Sequence, residues 1–308
     1  YADWTMRSSE LWPELRDELQ EQNGQSLGLE QEGGLHICLS QAEFDSRKES
    51  LDLLRSHQNG RFSYEMLDRK ALLDMQPDLG PDVVGGSWCP HDGHVNPLYL
   101  LRSLHDCLLK KGGSVIVDAK VSAITYQQSL FDVTSTQGRF YAPRLILAAG
   151  LGNRTLAPMV GLEQPVRPQK GHILVTQKTD KLIKLPMTQL RQTAEGSIMI
   201  GDSKEEVGFD ISSSADVTAQ IASRAQRTLP ALKNQHIIRS WAALRVMSPD
   251  GNPIYDQSAS HPGAYAITCH SGVTLAAAHC FDLASDIEAG CLGIGLQPFS
   301  ERRFHVPA

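Results

Sequence analysis

Apolar residues recur along this chain in two rhythms. Trp4, Leu11, Leu15 and Leu19 fall at helical spacing, which predicts an amphipathic helix over about residues 3–20, closed by Asn23-Gly24. Leu35-His-Ile-Cys-Leu39 predicts a strand, and a charged helix is expected from Gln41 to His57. A short helix over 64–76 should stop before Pro77, and a strand follows over 83–88. His91-Asp-Gly-His94-Val-Asn96-Pro97 reads as a turn entering a helix, with Asn96 as N-cap and Pro97 as first helical residue. That helix carries Leu98, Leu101, Leu104, Leu108 and Leu109 and ends at Gly112-Gly113. Strands are expected over 114–124, 130–136 and around Phe140. Arg144-Leu-Ile-Leu-Ala-Ala149-Gly150 reads as a buried strand running into a glycine loop. Further strands over 171–176, 188–192 and 197–200 precede a helix over 214–228, strands over 237–241 and 265–268, and an Ala-rich helix over 274–289. The expected architecture is an α/β domain interrupted by an α+β domain whose sheet is mostly antiparallel.

The 308 residues suffice for two domains and a large core, and 41% hydrophobic with 21% charged residues is ordinary globular composition. A net charge of −6 and the lack of a basic tract exclude a nucleic-acid surface. No apolar run reaches the ~20 residues of a membrane helix. Cys38, Cys89, Cys107, Cys269, Cys280 and Cys291 are scattered with no C-x-x-C pair, so no metal framework is encoded, and they read as free thiols in a reducing cytoplasm.

Candidate chemistry concentrates near the end. Trp241-Ala-Ala-Leu-Arg245 leads to Pro249-Asp250-Gly251-Asn-Pro253, where Asp-Gly marks a tight turn, and Arg245 offers a fixed fork for a carboxylate. Cys269-His270-Ser271-Gly272-Val273-Thr274 joins a strand end, a small-residue loop and a helix start, whose free N–H groups suit an electron-rich ligand edge. His94 and Asn96 read as turn and cap residues, and His172, Trp88 and Trp241 as packing.

Asp92-Gly-His-Val-Asn-Pro97, Leu145-Ile-Leu-Ala-Ala-Gly150, Arg167-Pro-x-x-Gly171, Gly196 to Gly201 with Gly208-Phe-Asp210, Arg245 with Pro249-Asp-Gly-x-Pro253, and His270-Ser-Gly272 form an ordered set. In this set the chain resembles the D-amino-acid-oxidase-like superfamily of FAD-dependent amine oxidoreductases, which includes glycine oxidase and sarcosine oxidase. It is most similar to the branch of hydrogen cyanide synthase, opine oxidase and D-hydroxyproline dehydrogenase catalytic subunits. Members open with a strand–G-x-G-x-x-G–helix unit that holds the FAD pyrophosphate. Here Gly293-Ile-Gly295 is the only near match and lies after the last helix, so the expectation is that some tens of residues precede Tyr1 in the complete protein.

The resemblance implies a discontinuous FAD-binding domain over 1–20, 91–161 and 243–308, incomplete at its N-terminus, and a substrate-binding domain over 21–90 and 162–242. It implies oxidation of an amino or imino acid (D-amino acid, D-hydroxyproline or proline, glycine, sarcosine or opine) by hydride transfer from Cα to flavin N5. Arg245 would pair with the substrate carboxylate. The His270, Ser271, Gly272, Val273 and Thr274 loop would face the flavin, while Val121, Ala149 and Gly150 would bring main chain to the cofactor. Glycine oxidase-like members carry arginine where His270 stands, which implies a different substrate choice. Arg191 is a further candidate for the pocket. Val246, Met247 and Ser248 follow Arg245 where a covalent-flavin branch has cysteine, so FAD should be held non-covalently. Electrons would pass to oxygen, to partner subunits carrying iron–sulfur or a second flavin, or to quinone. The expected location is the cytoplasm, or the inner face of a membrane as a peripheral protein. A flavin-free structural or regulatory subunit, or a truncated remnant keeping the substrate domain, is the competing reading.

Overall fold

The computed structural model describes residues 1–305; the last three positions of the 243–308 segment lie outside it. Helix α1 (Ala2–Asn23) buries Leu11, Trp12, Leu15 and Leu19 along one stripe and ends where Gly24 turns left-handed at φ 66°. Strand β1 (Gly34–Cys38) leads to α2 (Gln41–His57). The start of α2 is locked by a capping box: Ser40 Oγ accepts from Glu43 N at 3.2 Å, and Glu43 Oε2 accepts from Leu39 N at 2.9 Å.

The expected helix over 64–76 is half wrong. Residues Glu65–Asp68 form strand β2, and only Arg69–Met75 is helical (α3), capped by Asp68. The reason is tertiary. Strand β3 (Gly85–Cys89) offers β2 an antiparallel partner that a helix could not use, giving the order β1-β3-β2. Asn96 Oδ1 then accepts from Leu98 N at 3.0 Å and Tyr99 N at 3.4 Å to begin α4 (Pro97–Lys110).

Strands β4 (Val121–Gln127), β5 (Leu130–Ser135) and β6 (Gly138–Ala142) form an antiparallel meander. The strand expected over 114–124 begins only at Val121. Val115, Ile116 and Val117 are exposed and outside any ladder. Strand β7 (Leu145–Leu147) is shorter and more open than expected, with Ile146 47% exposed, because it is an edge strand with one neighbour among the described residues. A short helix α5 (Asn153–Leu156) follows. Asn153 is fully buried and ties β7 to a later strand by donating to Leu147 O (2.9 Å) and Ile267 O (3.1 Å).

A four-stranded antiparallel sheet comes next, from β8 (Arg167–Lys178), β9 (Leu190–Gln192), β10 (Ser197–Ile200) and β11 (Ile237–Met247), in the order β11-β8-β10-β9, with α6 (Ala215–Thr228) between β10 and β11. One face buries Leu174, Leu190, Ile198 and Ile200 against Ile221 and Ala225 of α6 and against Leu35, Ile37 and Leu72. The other face stays open. Strands β12 (Ile254–Gln257) and β13 (Ala264–Thr268) complete a mixed sheet, β13 pairing parallel with β7. The last helix is α7 (Ala276–Ala278), a π-helical turn (His279–Leu283) and α8 (Ala284–Ala289) in succession. No helix among the described residues is long and apolar enough to cross a membrane.

Candidate active site

Arg245 stands near the end of β11, directly opposite Gln169 of β8. Side chains alternate along a strand, so Arg245 shares the open face with Ala243 and Trp241, and across the ladder with Gln169, Gly171 and Ile173. Its guanidinium lies over Gly171, where an added methyl would sit 2.5 Å from Cζ. Nη1 donates to Ser203 O at 2.7 Å and to Lys170 O at 3.4 Å. Nε and Nη2 donate to no acceptor among the described residues, and no carboxylate pairs with this arginine there. Those two N–H groups form the fork that takes a carboxylate bidentately.

The loop after β13 approaches from the other side. His270 is held below the ordinary histidine value by partial burial first, and then by the positive charges of Arg245 and Lys204. The His270 ring therefore lies within electrostatic range of the guanidinium. In the main chain, Ser271 and Val273 are engaged through their carbonyls, which accept from Leu275 N and Ala276 N. The N–H groups of Ser271, Gly272, Val273 and Thr274 find no acceptor among the described residues. Thr274 O is gripped by Ser8 Oγ (2.7 Å) and Trp12 Nε1 (3.2 Å), so α1 fixes this helix entrance. Burial lifts the Cys269 thiol to about 11, which keeps it neutral.

Gly150 packs behind the Arg245 strand. It takes φ 57°, and a methyl there would meet Val246 Cγ2 at 3.3 Å, so the loop after β7 rests on the strand that carries Arg245. Ala148 and Ala149 are exposed, with the Ala149 amide donating to Asn153 Oδ1 at 3.0 Å, and Val121 packs against the cluster that holds Leu145 and Leu147. Unpartnered amides and small exposed residues on one loop cluster suit a flat, electron-rich cofactor edge, so the residues present fit FAD.

Arg191 stands apart from this group. It shares the open face but lies on β9, at the opposite edge of the sheet, and donates to Val95 O at 2.7 Å and to Met199 Sδ at 3.0 Å. Pro249 to Pro253 also lies off the site. Gly251 turns at φ 77° as the Asp-Gly pair predicts, and Arg303 clamps Asp250 at 2.8 Å.

The support beneath Arg245 was not expected from the sequence. Lys170, 3% exposed, meets Asp210 at 2.9 Å and Glu205 at 3.7 Å. His172, 1% exposed and expected only to pack, accepts from Ser214 N at its Nε2 (3.0 Å), which leaves its proton on Nδ1, 2.9 Å from Glu205. This network anchors residues 203–205, whose Ser203 carbonyl holds Arg245. Its signal was a lysine and a histidine interrupting an otherwise apolar strand alternation.

Fold and loop chemistry together define a flavin-dependent oxidoreductase. The chain belongs to the FAD dependent oxidoreductase (DAO) family, whose model matches residues 1–285, and FAD is its cofactor. It is 42% identical over 307 residues to the B subunit of opine oxidase from Agrobacterium tumefaciens (strain Ach5), covering 99% of this chain and 83% of that protein. It is 28% identical over 314 residues to the HcnC subunit of hydrogen cyanide synthase from Pseudomonas protegens, covering 99% and 74%. The fold matches that of glycine oxidase from Geobacillus kaustophilus with a TM-score of 0.88 at 23% identity, over 96% of this chain and 80% of that one. These matches agree with the family and fold expected from the ordered motifs.

Proposed function

We propose that this protein is the FAD-carrying catalytic subunit of an amino- or imino-acid dehydrogenase, acting on a CH–NH substrate of the opine class or its simpler relatives. The observation that carries the reading is the Arg245 fork, which no protein carboxylate takes up among the described residues. Similarity to the B subunit of opine oxidase supports the same substrate class. On this reading, segments 21–90 and 162–242 present the substrate, and segments 1–20, 91–161 and 243–305 hold the cofactor.

When bound, FAD supplies the acceptor for a hydride. Arg245 grips the substrate carboxylate and so sets which face of the adjacent carbon is presented. Gly171 leaves room for the guanidinium to lie flat, and Ser203 O keeps it from swinging away. His270, its pKa lowered by burial and by two cations, is the group we assign to receive the proton that the substrate ammonium must lose. Water then hydrolyses the product imine. The amides of Ser271 to Thr274 offer partial positive charge to the negative charge that develops on the reduced cofactor's edge. With no cysteine among Val246, Met247 and Ser248, FAD would be held non-covalently, and the electron acceptor would be a partner subunit bearing iron–sulfur or a second flavin, or quinone.

The test is anaerobic. Purified, FAD-loaded protein should bleach on addition of an opine, D-proline or sarcosine, and acid precipitation should leave all the flavin in the supernatant. Oxidised flavin that persists against every one of these amines ends the functional reading.

A further inference from the structure

The ladder between β10 and β8 gains a residue just beyond Ile200. Ile200 pairs with Leu174 and Glu205 with Lys170, so five positions on one side face four on the other. The pairing is interrupted over residues 201–204, and within that stretch Asp202 adopts φ 88°, a left-handed conformation that is uncommon outside glycine. A one-residue shift exchanges the faces of every side chain beyond it. In an unbroken ladder Glu205 would stand on the open face beside Arg245 and neutralise it. With this one-residue offset, Glu205 turns to the buried side against Lys170 and His172, and by alternation its neighbour Lys204 falls on the open-face side, next to Gly171.

Gly171 is the residue over which the Arg245 guanidinium lies. Among the described residues, Lys204 is exposed and forms no ion pair, and Arg245 bonds only backbone carbonyls. The guanidinium lies over Gly171, and Lys204 adjoins the residue bridged to Lys170, so the two cations flank the same glycine of β8. Two unpaired cations repel unless an anion lies between them. One carboxylate is already satisfied by the arginine fork, so a second cation calls for a second anionic group.

We propose that Lys204 and Arg245 form a two-cation seat for a dicarboxylic secondary amine. Arg245 holds the carboxylate next to the carbon that is oxidised, and Lys204 the carboxylate on the other side of the nitrogen. This rests on the amine-oxidising function proposed above and narrows it to substrates with two acidic arms. The one-residue offset across the unpaired 201–204 stretch is the device that selects lysine over glutamate at this point.

Calorimetry on the FAD-loaded full chain separates the possibilities, using thiodiacetate and (methylthio)acetate, unreactive sulfur counterparts of iminodiacetate and sarcosine that differ by one carboxylate. The expected result is that wild type prefers thiodiacetate, Lys204→Met weakens it tenfold or more while leaving (methylthio)acetate within twofold, and Lys204→Arg restores most of the loss. Equal weakening of both ligands, no weakening of either, or no initial preference overturns the seat. The same split should appear in KM for iminodiacetate against sarcosine. Amine oxidation without the split removes the seat and leaves the function; the split without oxidation of any amine removes the function and leaves a dicarboxylate site.

Discussion

Arg245 and His270 act through one field. The arginine has a backbone acceptor on one terminal nitrogen and an open fork on the rest, so removing it leaves the substrate carboxylate without a partner. Arg245→Ala should lower kcat/KM by about 2–4 kcal/mol equivalent at unchanged FAD content; a fall of less than tenfold in steady-state kinetics would remove it from that role. Arg245→Lys keeps the charge but loses the planar fork, and should recover only part of the loss. His270 lies below its ordinary value partly because Lys204 is close. Removing that cation in Lys204→Met raises the histidine's pKa, so the acid limb of the kcat/KM profile should move to higher pH. A limb that stays in place would separate His270 from the proton transfer.

The β8–β11 pair and the loop after β13 are the elements that build the site. Gly171→Ala keeps the strand but pushes a methyl into the guanidinium, so activity should drop at least tenfold while thermal stability changes little. Large unfolding without selective loss of activity would show instead that the glycine serves the sheet. In the loop, Gly272 has ordinary backbone dihedrals, and a methyl added there would meet only Cys269 Sγ, at 3.9 Å, so valine fits without strain. Gly272→Val should therefore reduce FAD stoichiometry, read from the flavin-to-protein absorbance ratio, at a near-normal melting temperature. Full flavin loading would detach this loop from the cofactor. At this scale the sequence was partly legible. The periodicity of α1, α2, α4 and α6 showed their extents, and Asn96 marked its cap. The strand nature of Glu65–Asp68 and the exposure of Ile146 depended on which neighbours a strand finds, information that no local window contains.

For the whole molecule, stability should depend on acidity in a definite direction. Burial holds His279 at about 4, against Tyr255 Oη at 2.7 Å, and burial with Arg47 and Arg224 holds His36 at about 4. Both stay neutral in the fold while the unfolded chain protonates below about 6.5, so their stabilisation, complete above that pH, is lost as pH falls towards 4. Asp256 works the other way. Burial raises it to about 6, so between 6 and its ordinary range the fold holds a proton that the unfolded chain lacks, and stability is gained on acidification. Two histidines oppose one carboxyl, so the melting temperature should fall between pH 6.5 and 4.5, and His279→Gln should flatten that slope. A melting temperature that rises across this window would reverse the balance.

By itself the sequence determined the family, the cofactor and most helices, because motif order and 3.6-residue periodicity are carried by residue identity along the chain. It also singled out Arg245 and the 270–274 loop, since an arginine flanked by apolar residues and a small-residue helix entrance are local signals. Only the tertiary structure decided that Arg191 stands at the far edge of the sheet, that Lys170, His172 and Glu205 brace the arginine from behind, and that Glu205 rather than Lys204 bridges to Lys170. The physical reason is register. Which side of a strand a residue faces depends on how its ladder pairs with a neighbour distant in sequence, and the one-residue offset between Ile200 and Glu205 reverses that choice for Lys204 and Glu205.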